Sequence, residues 1–345
     1  MIRVAQCFTG GIGSEIVRRL AHHPHIELVG VLVHSEDKQG RDVGEIVGIA
    51  PIGLRATGRF EDILALRPDV AIWSAQGYDP TRIARLLEAG INVYAQLGGH
   101  FMAGQPEQEL IESACRRGSS SIIAGGNIPG LISDVLPLFL SGYTNDVRHI
   151  TAHQRNHVTH YPSASQIHDR LGIGRAADDI PSDRWEWLMG MSARMVATGL
   201  GIPFSELRTR SRETRLAPET VTLPGSGLVV EAGTVGGVRW TWDAYSGDHV
   251  FLTIKNEQTA VYGLGDDWRR DESTPAWTVT FDASPPVVAT MSWPTAVPSA
   301  EANAQLNAAR AVNFIPALVA AEPGPRSVLD LPLITGSETG RPAVG

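Results

Sequence analysis

The stretch "RVAQCFTGGIGSEIVRRL" (residues 3–20) decides the fold of the N-terminal part of the chain. It reads as an apolar strand, a glycine-rich turn and the start of a helix. Such a turn points several backbone N–H groups, and the positive end of the helix dipole, at one spot where a pyrophosphate can lie. In the GxGxxG spacing of dinucleotide sites, Gly10 and Gly13 are the second and third glycines, and Phe8 stands where the first would be. The spacing predicts a cofactor turn over residues 9–13, in which the loss of the first glycine is tolerated if Phe8 leaves the strand with negative φ.

Length, charge and cysteine usage restrict the class of protein. A chain of 345 residues is long enough for two domains. Its formal net charge of -8 argues against general nucleic-acid binding, which needs clustered cations. Cys7 and Cys115 are too few and too scattered for a disulfide framework or a cysteine metal site, and no apolar run approaches a membrane span. We therefore expect a cytoplasmic protein with a small-molecule substrate and no nucleic-acid or membrane partner.

The pattern of short apolar runs and amphipathic segments predicts an α/β fold in two domains. Five buried strands alternate with helices in the first part, which predicts a doubly wound parallel sheet. The predicted strands are residues 3–7, 27–33, 69–74, 92–96 and 121–125. The predicted helices between them are residues 14–21, 60–66, 80–89 and 105–117.

From about Asp146 onward the strands become longer and alternate in polarity, which is typical of an α+β domain on a mostly antiparallel sheet. Long strands are predicted at residues 227–242, 249–261 and 277–281, with one helix at 184–199 and another at 301–321. The predicted domains are 1–142 for dinucleotide binding, 143–299 for substrate binding and dimerisation, and 300–345 as a helix and tail returning to the first domain.

The end of the second strand bears on the choice of cofactor. An NAD site typically places an acidic residue there for the ribose 2′-hydroxyl. This chain reads "VLVHSEDKQGR", with His34 and Ser35 at the strand end and Lys38 and Arg41 just beyond. Hydroxyl, imidazole and cations suit a 2′-phosphate, so NADP is favoured. Two acidic residues between them keep NAD as an alternative.

The carboxyl ends of the later strands should carry the chemistry, because ligands of open α/β sheets bind in the crevice outside them. They read "SAQG" (residues 74–77), "QLGGHF" (96–101) and "GGNIPG" (125–130). Small residues there allow a nicotinamide ring to approach the backbone. His100 and Asn127 are the polar side chains best placed near it, His100 either as a proton donor or as an ordinary loop histidine.

The segment "HITAHQRNHVTHYPSASQIHDRLGIG" contains five of the eleven histidines. Read as a strand, it places His149, His153, His157 and Tyr161 on one face. Alternate residues of a strand lie nearly 7 Å apart at a rise of about 3.4 Å per residue, so three in a row cannot share one metal ion. We predict no metal site, and interpret this face as a polar wall of a substrate pocket or as a solvated sheet surface.

Four stretches together resemble the dihydrodipicolinate reductase-like superfamily, and within it the NAD(P)-dependent amine dehydrogenases and 2,4-diaminopentanoate dehydrogenases. They are "TGGIG", "HPHIELVGVLVHSEDKQGRDVGEIVG", "GGNIPGLISDVLP" and "ARAVNFIPALVAAEPGPRSVLDLP". The resemblance implies a Rossmann domain, a C-terminal domain whose sheet forms a homodimer, and hydride transfer between nicotinamide and a carbon bonded to nitrogen. It also implies that Tyr161 lines the pocket.

The chain departs from that pattern where a proton must be moved. The amine dehydrogenases carry a glutamate after the fourth strand, whereas residues 95–104 here contain no carboxylate, and His100 is the only ionisable group among them. Gln154 and His157 stand in place of an acidic pair. Val158 stands where dihydrodipicolinate reductases have a lysine, which argues against lysine biosynthesis. The neutral groups favour a neutral or anionic acceptor over a cationic amine.

We therefore predict an NAD(P)H-dependent oxidoreductase that transfers hydride to or from a C=N or C=O carbon, similar to an amine dehydrogenase or imine reductase. The alternatives are a catalytically inactive NADP-binding protein and a C=C reductase with the same cofactor. The candidate catalytic residues are His100, Asn127 and Tyr161. The candidate cofactor-binding residues are Thr9, Gly10, Gly11, Ile12, Gly13, His34, Ser35, Lys38, Arg41, Ala75, Gln76, Gly77, Gly98, Asn127 and Pro129.

Overall fold

The computed structural model describes residues 1–75, 77–179, 185–271, 274–294 and 297–336. The chain divides into two compact units. The first unit comprises Met1–Gly126 and the chain from Ala304 onward, and the second comprises Asn127–Asn303.

The first unit is built on a six-stranded sheet in which every paired strand is parallel. Its strands are β1 (Ile2–Cys7), β2 (Ile26–Leu32), β3 (Val70–Trp73), β4 (Asn92–Ala95), β5 (Ser121–Ala124) and β14 (Gly324–Pro325). Their spatial order is β14-β5-β4-β3-β1-β2. The order reverses between β1 and β3, which is the place where doubly wound sheets bind nucleotides. The predicted Rossmann-type α/β fold is confirmed, and all five predicted strands are present with ends within one residue.

Helices cover both faces of this sheet. They are α1 (Gly11–Leu20), α2 (Val43–Val47), α3 (Phe60–Leu66), α4 (Pro80–Glu88), α5 (Gln108–Gly118) and most of α8 (Ser299–Ala320). The helix α4 shows why these segments are helical. Asp79 caps it by accepting from the N–H of Arg82 at 3.0 Å, Pro80 stands in the first turn, and Ile83 and Leu87 are fully buried. The short helix α2 and the strand β14 were not predicted.

The first sheet carries a different apolar core on each face. On one face, side chains of β1, β3, β4 and β5 pack with α4 and α5, and both cysteines lie in this core. On the other face the strands pack with α1 and α8, where Ile16 and Phe314 are buried. Burial raises the pKa of the Cys7 thiol to about 12 and that of Cys115 to about 11, so both remain protonated near neutral pH.

The second unit is built on a six-stranded mixed sheet of order β13-β12-β6-β11-β10-β7. Its strands are β6 (Asn145–His157), β7 (Glu206–Leu216), β10 (Val235–Ser246), β11 (His249–Thr259), β12 (Trp277–Ser284) and β13 (Val287–Met291). Only β6 and β11 pair in parallel, so the sheet is mostly antiparallel, as predicted. A separate pair is formed by β8 (Val221–Thr222) and β9 (Val229–Val230). The helices are α6 (Leu136–Ser141) and α7 (Glu186–Leu200).

Short helical turns complete the two units. A 3-10 turn covers Glu36–Lys38, and wider helical turns cover Asn127–Val135 and Gln166–Arg170. In the segment Asn127–Val135, three residues from Ile128 to Gly130 are not helical.

One face of the second sheet carries charged residues on four neighbouring strands. Arg239 on β10 pairs with Glu213 on β7 and Glu257 on β11, and Glu257 pairs with Arg155 on β6. Paired residues of neighbouring strands point to the same side, so these charges form a row. Arg239 bonds Glu213 at 2.8 Å, Asp267 at 2.6 Å and Glu257 at 3.2 Å.

The unit boundaries differ from the predicted domain boundaries. The two units of the structure are divided after Gly126 and after Asn303. The sequence predicted domain boundaries after residues 142 and 299. The physical reason is that the segment after β5 packs with α7. There the Ser192 hydroxyl donates to Asp134 at 2.6 Å and lies 3.0 Å from the Ser133 hydroxyl, all three being fully buried.

Candidate functional site

The turn after β1 has the geometry of a dinucleotide turn, with one departure from the expectation. Phe8 has φ of +73°, in the left-handed region that favours glycine, so the expected condition of negative φ is not met. The N–H of Phe8 donates to the Leu32 carbonyl at 2.7 Å, and its ring packs edge-on against Trp73 with centroids 5.2 Å apart. The chain thus makes the turn of the usual first glycine with a phenylalanine.

Gln6 explains how Phe8 is held in that conformation. This residue of β1 is fully buried, and its Nε2 donates to the carbonyls of Cys7 at 2.8 Å and Phe8 at 2.9 Å. The two hydrogen bonds fix the direction of the Phe8 carbonyl. Sequence reasoning missed this role, although a glutamine inside the apolar run "RVAQC" was a visible signal.

Gly13 is required by the close approach of the helix to the turn. A Cβ at this position would lie 2.1 Å from the Phe8 carbonyl oxygen and 3.0 Å from the Gln6 Nε2. Any side chain therefore displaces backbone. This is the helix-packing role of the third glycine of a dinucleotide turn.

Gly10 shows the opposite environment. Among the described residues, no atom lies within 4 Å of a Cβ built on it, and its φ of -73° and ψ of -171° are open to other residues. Gly10 caps α1, and within the described part of the chain no side chain caps this end; the first turn, from Gly11 and Ile12, also carries no acidic residue. An uncapped helix N-terminus of this kind, beside open space, fits a phosphate group.

Lys38 reaches the same turn from the end of β2. Its ammonium group donates to the Thr9 carbonyl and lies by the Thr9 hydroxyl, each at 3.3 Å. The structure thus brings Lys38 to the turn after β1. His34, Ser35 and Arg41 are exposed along the segment between β2 and α2.

The residues after β3 lie at the carboxyl edge of the sheet, as predicted. Ala75 is half-buried, and Gly77 is exposed with no described atom within 4 Å of a Cβ built on it. Gln76 lies outside the described residues.

The loop after β4 is tightly packed. Gly98 has φ of +81°, and a Cβ on it would lie 2.4 Å from the Tyr78 ring. Gly99 also has positive φ, and His100 is only 2% exposed. Gly98 therefore makes room for an aromatic ring, and His100 is a buried side chain rather than a solvated loop histidine.

Asn127 and Pro129 follow directly on the first unit and belong to the second. The Asn127 side chain is 8% exposed, and its Nδ2 donates to the Asn303 side chain at 2.9 Å. Asn303 in turn donates to Asn156 Oδ1 at 3.1 Å. The amide donor of Asn127 is thus engaged in a chain of three buried amides. Pro129 is buried as well.

Tyr161 does not lie on the strand that was predicted to contain it. The strand β6 ends at His157, and the N–H of Tyr161 closes a turn onto the Val158 carbonyl at 2.9 Å. The shared face predicted for residues 149–161 therefore stops at His157. Tyr161 is half-buried, and burial raises its pKa to about 12, so the phenol is neutral.

The histidines of β6 each pair with a neighbouring strand. His149 Nε2 lies 3.0 Å from the Thr253 hydroxyl, His153 lies 3.6 Å from Glu257, and His157 lies 3.2 Å from the Thr259 hydroxyl and stacks on Tyr262. Burial lowers the pKa of His153 to about 4 and that of His157 to about 3, so both rings are neutral near pH 7. Over the described ranges, no three His, Cys, Asp or Glu residues come together as a metal site.

Two further polar side chains at the carboxyl edge were not singled out from the sequence. Gln96 follows β4 and is 6% exposed, and the hydroxyl of Ser74, after β3, is buried. Within the described chain, neither the Gln96 amide nor the Ser74 hydroxyl has a hydrogen-bond partner. The rule that polar residues at strand ends meet ligands would have found them.

Comparison with known proteins agrees with this architecture. Residues 5–74 match the family model described as dihydrodipicolinate reductase, N-terminus. The chain is 29% identical over 366 aligned positions to an amine dehydrogenase of Streptomyces virginiae, covering 100% of this chain and 98% of that protein. It is 37% identical over 57 residues to the 4-hydroxy-tetrahydrodipicolinate reductase of Synechocystis, covering 16% of this chain and 21% of that protein.

Among solved structures, the amine dehydrogenase of Mycobacterium smegmatis has the same fold, with a TM-score of 0.74 at 18% identity and 97% of each chain covered. The class of protein that the fold and these matches define is an NAD(P)-dependent oxidoreductase. The predicted resemblance to the dihydrodipicolinate reductase-like superfamily, and within it to the amine dehydrogenases, is confirmed. None of the helices in the described ranges is long and apolar enough to cross a membrane.

Proposed function

We propose that the protein is an NAD(P)H-dependent oxidoreductase acting on a C=N or C=O carbon of a small organic molecule, in the manner of an amine dehydrogenase or imine reductase. The observation that carries the proposal is the turn after β1. It combines the open position at Gly10, the uncapped start of α1 and the ammonium of Lys38 at Thr9. The similarity to an amine dehydrogenase over the whole chain supports the reaction class.

The residues of the turn would bind the cofactor through its phosphates. The N–H groups at the start of α1 and the Lys38 ammonium are oriented before binding, so little reorganisation is needed. The bound nicotinamide would supply the hydride. Around it the protein would orient the acceptor, exclude water and supply hydrogen bonds to the developing charge.

We propose NADP as the preferred cofactor. The exposed cation Arg41 and the hydroxyl of Ser35 lie beyond the end of β2, where a 2′-phosphate would need partners. Glu36 and Asp37 are also exposed on the 3-10 turn, so NAD remains the second candidate.

His100, Asn127 and Tyr161 remain the proposed catalytic residues. His100 is the ionisable side chain of the loop after β4, and Tyr161 is a neutral phenol that can donate a hydrogen bond. With Asn127 engaged to Asn303, its proposed contribution is the shape of the segment rather than a free donor. The substrate we favour is neutral or anionic, because His153 and His157 are uncharged near pH 7.

We also propose a cytoplasmic homodimer that associates through the second sheet. The edge strand β7 of that sheet is largely exposed along its length and presents groups able to pair with a second copy. Sedimentation at several protein concentrations tests this part of the proposal.

A cofactor-binding protein without catalysis is the second candidate. The observation in its favour is the burial of His100 in a loop without a carboxylate. Such a protein would bind NADPH with no turnover of any substrate.

The test combines binding and turnover. Fluorescence quenching measures the affinity for NADPH and NADH, and absorbance at 340 nm follows NADPH consumption with a panel of imines, ketones and amines plus ammonia. We expect Lys38→Met to weaken the binding of both cofactors by about tenfold and Arg41→Met to weaken the binding of NADPH alone. Arg59→Met, an exposed cation with 77% of its side chain accessible, is the matched control and should bind as the wild type does.

The outcomes separate the candidates. Binding with turnover supports the oxidoreductase, and binding without turnover across the panel supports the second candidate. Equal affinity for the two cofactors would remove the role given to Arg41, and no binding of either would overturn both functions.

A further inference from the structure

Two polar side chains stand side by side at the carboxyl edge of the first sheet. The strands β3 and β4 pair in parallel with Trp73 opposite Ala95, and the N–H of Gln96 still donates to the Trp73 carbonyl at 3.0 Å. Continuing this register by one residue places Ser74 beside Gln96. Partners in a parallel pair point to the same face, so both side chains leave the sheet on one side.

The Gln96 side chain and the Ser74 hydroxyl are buried without the hydrogen bonds that buried polar groups normally make. Gln96 is 6% exposed, and within the described residues its Oε1 and Nε2 have no partner. The Ser74 hydroxyl also has no hydrogen-bond partner within the described residues. Buried polar groups in folded proteins are nearly always paired, because leaving one unpaired costs about 1–3 kcal/mol. An unpaired amide beside an unpaired hydroxyl indicates a place for a ligand.

The face of the sheet identifies which part of a ligand would arrive there. Gln6 pairs in register with Ile72, two residues before Ser74, so it lies on the same face. Gln6 touches the position where a Cβ of Gly13 would be, at 3.0 Å, which puts this face under the start of α1. Gln96 therefore lies on the side of the sheet from which the cofactor turn rises.

The strand order sets the direction of the cofactor. With the order β2-β1-β3-β4, a pyrophosphate at the end of β1 has β2 on one side and β3 on the other. The cations Lys38 and Arg41 lie beyond β2, so the adenosine half runs that way and the nicotinamide half runs toward β3 and β4. Two strand spacings of about 4.8 Å put Gln96 about 10 Å from β1, a distance that a ribose and a pyridine ring can span.

We propose that Gln96, assisted by Ser74, binds the carboxamide of the nicotinamide. A primary amide is complementary to another primary amide: Nε2 of Gln96 donates to the carboxamide oxygen, and Oε1 accepts from the carboxamide N–H. The Ser74 hydroxyl accepts the second N–H. The pair fixes the rotation of the pyridine ring and hence which face is offered to substrate. This inference rests on the proposed function, since it requires that a nicotinamide cofactor binds.

The experiment compares two ligands on the same protein. NADPH carries the carboxamide, whereas 2′-phospho-ADP-ribose has the remainder of the recognition elements and lacks the nicotinamide. Gln96→Met keeps the length of the side chain and removes the amide. We expect this variant to bind NADPH about tenfold more weakly than the wild type and to bind 2′-phospho-ADP-ribose equally well. Ser74→Ala should weaken NADPH by a smaller factor and likewise spare the second ligand.

Gln108→Met is the matched control. Gln108 also follows β4, but its amide already bonds the Gly104 N–H at 2.7 Å and Glu112 at 2.8 Å. This variant should bind both ligands as the wild type does. A second readout needs no variant: the wild type should bind the 3-acetylpyridine analogue, which lacks the carboxamide N–H, more weakly than NADPH, and Gln96→Met should bind the two alike.

The possible results separate the two proposals. If the wild type binds neither NADPH nor 2′-phospho-ADP-ribose, the proposed function fails and this inference fails with it. If both bind and Gln96→Met weakens them equally or not at all, the function stands and the inference is overturned. If NADPH binding is unchanged but the KM of a carbonyl or imine substrate rises, Gln96 contacts the substrate and the nicotinamide assignment is overturned. If Gln96→Met fails to fold, Ser74→Ala and the analogue comparison on the wild type decide the matter.

Discussion

The two glycines of the cofactor turn offer a test in which one methyl group has opposite effects at positions three residues apart. In Gly13→Ala the new Cβ would lie 2.1 Å from the Phe8 carbonyl oxygen, so the turn or the helix must move by more than 1 Å to reach ordinary contact. In Gly10→Ala the new Cβ meets no described atom within 4 Å, and φ of -73° with ψ of -171° suits alanine.

The expected magnitudes follow from these contacts. Forcing a methyl group against the backbone costs about 3 kcal/mol of stability. Alanine has a better helix propensity than glycine, which offsets about 1 kcal/mol of that cost. Gly13→Ala should therefore lower the free energy of unfolding by about 2 kcal/mol. For Gly10→Ala, the poorer cap and the lower entropy of the unfolded chain nearly cancel, so stability should stay within about 0.5 kcal/mol of wild type. Its methyl group fills the space beside the start of α1, so NADPH affinity should fall by at least about tenfold.

Urea unfolding measures the first quantity, and fluorescence titration with NADPH measures the second on folded protein. The reasoning is refuted if Gly10→Ala binds NADPH like the wild type, because the open position would then not face the phosphates. It is also refuted if Gly13→Ala is as stable as the wild type, because the close approach of α1 to Phe8 would then not constrain the fold.

Three further predictions concern stability. Phe8→Gly should be more stable than Phe8→Ala by about 1 kcal/mol in urea unfolding, because both lose the ring but only glycine relieves the positive φ; equal stabilities would contradict this. Burial lowers the pKa of His153 to about 4, against the pull of Glu257, from an ordinary value of 6.5, so the unfolded state binds more protons between those values. His153 should contribute about 3 kcal/mol to the fall in stability as pH drops from 6.5 to 4, and His153→Gln should remove that contribution while leaving the one due to His157. Arg239→Met should cost about 3–5 kcal/mol, because the fully buried Glu257 would lose its salt bridge with Arg239 although it keeps the hydrogen bond from the Arg269 N–H, and a neutral effect on the unfolding midpoint would contradict it.

The parts of the fold that the sequence predicted are those governed by local patterns. The apolar runs of β1 to β5 and the amphipathic helix α4 can be read directly, since burial on one or both faces dictates their composition. The strand β7, "ELRTRSRETRL", was not predicted because it is almost wholly polar. It is a strand because Arg210 and Glu213 find partners on β10, at Asp243 and Arg239, and such cross-strand pairs are invisible to a local pattern.

The candidate site divides in the same way. Gly10 and Gly13 could be identified from the sequence, because the geometry of the turn fixes the number of residues between its glycines. The sign of φ at Phe8 could not, since it depends on the Gln6 amide holding the Phe8 carbonyl. The engagement of Asn127 depends on Asn303, which lies far along the chain and gives no signal near position 127.

The missing carboxylate in the loop after β4 also has a structural reason. A side chain at position 98 would start 2.4 Å from the Tyr78 ring, and positive φ at Gly98 and Gly99 favours glycine at both places. The loop therefore could not accept an acidic residue there unless Tyr78 moved. Burial also raises the pKa of Tyr78, so the ring that fills this space stays neutral. Because residues 95–104 contain no carboxylate, an acceptor that needs no carboxylate base is the one that fits this loop.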